Sequence, residues 1–266
     1  MHELEGRRYV ITGANTGVGR ATAEALAARG ARVVLACRSV ERGRAAAANI
    51  DRAEVVHLDL ADLDSVRRAA DVLGREPIDA LINNAAVAGA RGTTRQGFEL
   101  AFGVNHLGPY LLTRLLLERC ARVVHLTSGS HATAARPRFE RLRRRTPSLL
   151  GIPEYATSKL CALVFHHELA RRLRGTPTVT VAADPGAVAS DAFRHVPWPI
   201  RIWITRGMKP PREGARTSVF CATAPSLESG TCFVDERPFT PSALSRDEAL
   251  ARELWDRSAE WTGLAP

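Results

Sequence analysis

A tyrosine and a lysine four residues apart, Tyr155 and Lys159, are the residues of this chain best suited to moving a proton. They fall near the start of a helical run, so both side chains lie along one helix face. A phenol of ordinary pKa near ~10 is a poor base at neutral pH, and a neighbouring ammonium favours its ionised form. Lysine is rare here. Only Lys159 and Lys209 occur, and the other 35 of the 37 basic residues are arginine. A chain that writes nearly every positive charge as arginine, yet sets a compact ammonium beside a phenol, argues against an incidental surface pair.

A second constellation sits near the start. Thr12-Gly13-Ala14-Asn15-Thr16-Gly17-Val18-Gly19 joins an apolar run, Tyr9-Val10-Ile11, to an amphipathic one. Glycines between a strand and a helix let backbone amides approach a pyrophosphate, and the helix N-terminus adds its partial positive charge. After the next strand an acid would hold a ribose 2′-hydroxyl and select NAD. This chain reads Ala36-Cys37-Arg38-Ser39 there, and the Arg38 fork suits a 2′-phosphate. NADP is therefore the expected cofactor, with Arg20 a second candidate for the phosphate.

These groups need a frame. Short continuous apolar runs (Arg32–Ala36, Glu54–Leu58, Ala80–Ile82, Arg122–Leu126, Thr178–Ala183) alternate with helical stretches at about 18–29, 40–49, 62–73, 98–119 and 154–174. Strands without polar alternation, each followed by a helix, predict a parallel sheet buried on both faces. The expected fold is α/β, a doubly wound sheet with helices on both faces, forming a single domain over 1–266. A final strand is expected at Thr231–Val234 and a C-terminal helix at about 246–262. The Pro- and Trp-rich stretch at about 187–212 breaks the pattern and carries Trp198 and Trp203. It is expected to be a substrate lid, since it holds more apolar surface than a solvent loop should.

In this order the motifs resemble the short-chain dehydrogenase/reductase family: the glycine turn, Asp59-Leu60, Asn83-Asn84-Ala85-Ala86, Asn105, Ser128, Tyr155-Ala-Thr-Ser-Lys159 and Pro185-Gly186. The match spans about residues 7–235. Gly103-Val104-Asn105-His106-Leu107-Gly108 and Tyr155 through Arg172 are most similar to the retinol dehydrogenase and WW-domain oxidoreductase branch. The resemblance implies a Rossmann-type fold and an oxidoreductase. Tyr155 would be the general acid/base, and Lys159 would lower its pKa and bind the nicotinamide ribose. Ser128 would polarise the carbonyl, with Ser130 a second candidate, and Asn105 would hold a proton-relay water. Gly13, Asn15, Thr16, Gly17, Val18, Gly19 and Arg38 would bind the phosphates, and Asp59 and Leu60 the adenine. Asn83 and Ala85 would line the middle of the nucleotide. Pro185, Gly186, Val188 and Ser190 would meet the nicotinamide end, beside Tyr155 and Lys159. Two positions depart from the family pattern: Ala86 stands where glycine is usual, and Asp184 where histidine is common.

The implied activity is NADPH-dependent reduction of an apolar, cyclic ketone or aldehyde, or the reverse oxidation, compatible with biosynthetic tailoring. The rival is a non-catalytic NADP-binding sensor, which would have no need of a proton donor. Composition removes other classes. Hydrophobic residues at 45% and charged residues at 24% are ordinary for a globular chain. No run approaches the ~18 apolar residues of a membrane span, and acids near the N-terminus are unlike a signal peptide. Five scattered cysteines without metal spacing read as reduced thiols, so no metal is expected and the expected location is cytoplasmic. A net charge of +9 raises polyanions. The arginines from Arg136 to Arg145 could steer an anion or form a solvated face. No interleaved aromatics suggest nucleic-acid stacking, so none is expected as a partner. A homodimer and a homotetramer both stay open.

Overall fold

A computed structural model describes residues 3–188 and 207–266. The expected lid tryptophans, Trp198 and Trp203, and the cofactor candidate Ser190 lie outside the described residues. One sheet organises the fold, in the order β3-β2-β1-β4-β5-β6-β7-β8. Its strands are β1 (Arg8–Thr12), β2 (Arg32–Cys37), β3 (Ala53–His57), β4 (Ala80–Asn83), β5 (Arg122–Leu126), β6 (Val179–Asp184), β7 (Cys232–Val234) and β8 (Arg237–Phe239). Strands β1 to β7 pair in parallel. The sheet therefore has the expected doubly wound character, with one exception: β8 returns antiparallel to β7.

Alternation along the strands divides the core into two layers. Val10, Val34, Leu81 and Val123 face one layer, covered by α3 (Leu63–Leu73), α5 (Gly108–Leu116), α6 (Ile152–Arg172) and α8 (Glu248–Thr262). Ile11, Val33, Ile82 and Val124 face the other, covered by α1 (Gly17–Ala27), α2 (Val40–Ala47) and α7 (Pro211–Thr223). The strand order reverses between β1 and β4, which opens a crevice at the carboxyl ends of those strands.

The helix expected over 98–119 is composite. A short α4 (Leu100–Phe102) enters a π-helical turn at Gly103–Leu107, then continues as α5 and ends in a 3-10 turn at Leu117–Arg119. Close approach explains one glycine of this stretch: a Cβ on Gly108 would lie 2.6 Å from the Leu60 carbonyl oxygen. Helix α8 closes one layer, its Trp255 ring 5.3 Å from Tyr110 and 5.8 Å from Phe165.

Candidate active site

The glycine turn is braced by the end of β4. Thr12 Oγ1 accepts from the backbone N–H groups of Asn84 at 3.0 Å and Ala85 at 2.9 Å, while Asn84 Nδ2 donates to the Thr12 carbonyl at 2.7 Å. Gly13 has φ +67, and a Cβ there would sit 2.9 Å from the Ala85 Cβ. At Gly19 an added Cβ would fall 2.3 Å from Asn84 Nδ2. The glycines thus bring two loops together and leave the first turn of α1 open toward the crevice.

That crevice is a solvent-open cleft with a cavity volume of about 190 Å³. Its walls include Gly13, Asn15, Thr16, Gly17, Val18 and Gly19 from the turn, Arg38 after β2, Asp59 and Leu60 after β3, Ala85 after β4, Pro185 after β6, and Tyr155 with Lys159 on α6. These thirteen sequence candidates are brought together. Thr127 Oγ1, on the same wall, is buried without a hydrogen-bond partner among the described residues. A backbone cradle at a helix N-terminus, a cation at one end and an unsatisfied hydroxyl fit an extended, phosphate-bearing dinucleotide.

At the inner end, Ser128 lies near enough to Tyr155 to act on its pKa. Ser128 begins the 3-10 turn at Gly129–Thr133, and its Oγ accepts from the backbone N–H of Ser130 at 3.3 Å and from Ser130 Oγ at 3.1 Å. The second serine therefore supports the first. Lys159 Nζ donates to the Leu126 carbonyl at 2.8 Å and lies 5.9 Å from the centre of the Tyr155 ring. Burial pulls the Lys159 pKa down to about 8, against the opposing charge of Asp184.

Around Tyr155 the net direction is upward. Burial raises the Tyr155 pKa above its ordinary value; Ser128 lowers it, and the Asp184 carboxylate raises it further. Lys159 Nζ gives one of its three N–H donors to the Leu126 carbonyl and keeps two for other partners. Asp184, the departure from the family pattern, is buried at the end of β6 and accepts the Gly186 N–H at 2.8 Å. Its charge acts on Tyr155 and Lys159 together.

Several candidates lie elsewhere. Asn83 points into the core, where its Nδ2 donates to Thr113 Oγ1 at 2.9 Å, and Asn84 lines the cleft instead. Asn105 sits in the π-helical turn. Its side chain exchanges hydrogen bonds with the Val87 backbone at 2.9 and 3.0 Å and donates to Ser158 Oγ at 2.8 Å, so it braces the wall from behind. Gly186 follows Pro185 but is not on the wall, and Val188 is buried against α7, within 2.4 Å of a Cβ built on Gly214. Arg20 closes on Glu24 at 2.8 Å, away from the cleft. Sequence reasoning missed Asn84, Thr127 and the influence of Asp184. Each adjoins a motif residue, and only the alternation of the strand ends tells which neighbour faces the cleft.

Comparison with known proteins agrees with this geometry. The short chain dehydrogenase family model matches residues 7–133. Over 295 aligned residues the chain is 44% identical to dehydrogenase/reductase SDR family member 13 of Bos taurus, covering 100% of this chain and 76% of that protein. It is 41% identical to human retinol dehydrogenase 11, covering 98% of this chain and 87% of that one. A crystal structure of an uncharacterised protein from Mycobacterium paratuberculosis superposes with a TM-score of 0.83 at 35% identity, covering 98% and 94% of the two chains. The chain belongs to the short-chain dehydrogenase/reductase family, near its retinol dehydrogenase branch. It is an oxidoreductase of the class acting on alcohol and carbonyl groups.

Proposed function

We propose that the protein is an NADPH-dependent carbonyl reductase, or alcohol dehydrogenase in reverse, acting on an apolar ketone or aldehyde. The observation that carries the reading is Tyr155 set beside Ser128 and the buried Lys159, at the inner end of a cleft that begins at a helix N-terminus. The glycine turn would hold the pyrophosphate, Asp59 and Leu60 would border the adenine, and Arg38 would meet the 2′-phosphate. Support for NADP over NAD is the exposed Arg38 on the cleft wall, with no acid at the end of β2. The retinol in a relative's name is an apolar, ring-bearing alcohol, which supports the same substrate class.

The nicotinamide ring, when bound, supplies or accepts the hydride. Ser128 Oγ donates a hydrogen bond to the carbonyl oxygen of the substrate and stabilises the negative charge that grows there. Tyr155 Oη, kept protonated by burial, gives its proton to that oxygen. Lys159 lends positive charge beside the phenol. Asp184 tunes both groups from behind, holding the proton on Tyr155 and the charge on Lys159. Asn105 shapes the wall rather than touching the reacting atoms.

The test is hydride transfer from NADPH to a panel of apolar cyclic ketones and ring-bearing aldehydes, followed at the cofactor's absorbance. Turnover that needs NADPH and fails with NADH is the expected result. Tight NADPH binding without turnover of any carbonyl would favour the sensor.

A further inference from the structure

The arginine-rich segment between Ser128 and Tyr155 is not absorbed by the chemistry above. We propose that it docks the protein on an anionic lipid surface and sets the first turn of α6, which carries Tyr155, beside the bilayer. The idea rests on the apolar-substrate reading, since a membrane is where such a carbonyl compound would concentrate.

The segment is built as an anchored, outward-facing ridge. Phe139 and Leu142 are buried on one side of the 3-10 helix at Phe139–Arg143, which fixes it to the body of the protein. Arg141 lies within that turn, and Arg138 and Arg144 are the extended residues that flank it. All three are exposed, as are Arg143 and Arg145. Arginines elsewhere commonly close on acids, as Arg29 does on Glu3, Arg52 on Glu5 and Arg95 on Asp62. Here Arg136 pairs with Asp247 and Arg143 lies over the Phe98 ring. Arg138, Arg141, Arg144 and Arg145 make no ion pair or side-chain hydrogen bond among the described residues. Glu140 is the single acid from 136 to 153. Four unpaired guanidinium groups within eight residues, against that one acid, form a positive field.

A second observation selects a lipid over other polyanions. The large exposed hydrophobics among the described residues are Val72, Leu149 and Ile152, and two of these three follow Arg145 by four and seven residues. Leu149 is 78% exposed and Ile152 is 46% exposed. Ile152 opens α6, three residues before Tyr155. Basic side chains beside protruding aliphatic ones match a bilayer interface, where charge meets headgroups and the aliphatic groups enter the acyl boundary. Nucleic acid would call for exposed rings, and the segment's one aromatic, Phe139, is buried.

The full chain is to be sedimented with vesicles of phosphatidylcholine alone and of phosphatidylcholine with phosphatidylserine. Binding is expected to the second and not the first. Each arginine near such a surface contributes about fivefold in affinity, so the Arg141→Gln, Arg144→Gln, Arg145→Gln triple variant should bind about a hundredfold more weakly. Leu149→Ser should weaken binding as well, by an amount that salt does not change. Absence of binding to phosphatidylserine vesicles, or unchanged binding by the triple variant, would overturn the proposal. So would normal vesicle binding by Leu149→Ser together with competition by a short single-stranded RNA, which would mark a general polyanion site. The variants are expected to turn over a dissolved carbonyl substrate normally. Vesicle binding by a protein that reduces no carbonyl would sink the reductase reading and leave the docking surface standing.

Discussion

Replacing Arg38 with alanine should cost the protein its preference for NADPH. Arg38 follows the last residue of β2 and forms part of the cleft wall, across from the glycine turn. A hydrogen bond to a charged partner contributes about 1.5–3 kcal/mol when sheltered. Arg38 is exposed, so solvent and salt screen the contact and the lower end of that range applies, about 1.5 kcal/mol. That corresponds to about tenfold weaker NADPH binding. NADH lacks the phosphate, so its affinity should hardly move. Arg38→Asp should go further, repelling the phosphate and supplying the acid that a ribose 2′-hydroxyl needs, and so reverse the preference. Calorimetric titration of both cofactors into wild type and the two variants reads this directly, and added salt should shrink the wild-type advantage. Equal affinity of the unmodified protein for NADPH and NADH would refute the reasoning, as would an Arg38→Ala protein with its preference intact.

Other consequences follow from buried groups. Burial lowers the pKa of His106 and His125 to about 3 and of His167 to about 4, so all three are neutral in the folded protein. The unfolded chain binds protons at these sites below its ordinary histidine pKa of ~6.5, so stability is full above that pH and is lost as pH falls toward the folded values. Each histidine should cost about 2 kcal/mol by pH ~5, and a melting temperature unchanged between pH ~7.5 and ~5 would contradict this. Asp184→Asn removes the charge that raises the Tyr155 pKa while keeping an acceptor for the Gly186 N–H. The phenolate absorbance that distinguishes each protein from its Tyr155→Phe counterpart should therefore appear at lower pH in Asp184→Asn, and an unmoved titration would remove Asp184 from this role. Trp255→Ala should destabilise the fold by about 3–5 kcal/mol, because the ring is buried against Tyr110 and Phe165 and lies 4.1 Å from the Arg172 guanidinium carbon. A loss under about 1 kcal/mol in denaturant melts would mean that α8 is not held through this residue.

What the sequence made legible was whatever depends on local pattern. Continuous apolar runs between helices announced the parallel strands, and the glycine turn and the Tyr155–Lys159 spacing located both ends of the cleft. The missed elements have weak local signals. Strand β8 is three residues with a central Pro238, tolerable because it is an edge strand, and its Arg237 and Pro238 are exposed. Helix α7 begins on Pro211 and buries small or polar side chains such as Gly214, Ala215 and Ser218, so it shows no bulky apolar stripe. The π-helical turn within an otherwise regular helical pattern leaves no compositional mark. At the site, residue identities were readable but partners were not. Asn83 and Asn84 look equivalent in sequence, and only the pleat of β4 sends one to Thr113 and the other to Thr12. The protonation of Tyr155 likewise depends on burial and on Asp184, which lies on another strand.

The central claim is that Tyr155 gives the proton. Tyr155→Phe removes the phenolic oxygen and keeps the ring, so packing and NADPH affinity should persist. Single-turnover hydride transfer from saturating NADPH to an accepted apolar carbonyl compound measures the step itself. Positioned proton donors contribute about a hundredfold to ten-thousandfold, and the rate should fall by that amount. A Tyr155→Phe protein that transfers hydride at close to the wild-type rate would contradict the account, because another group would then supply the proton.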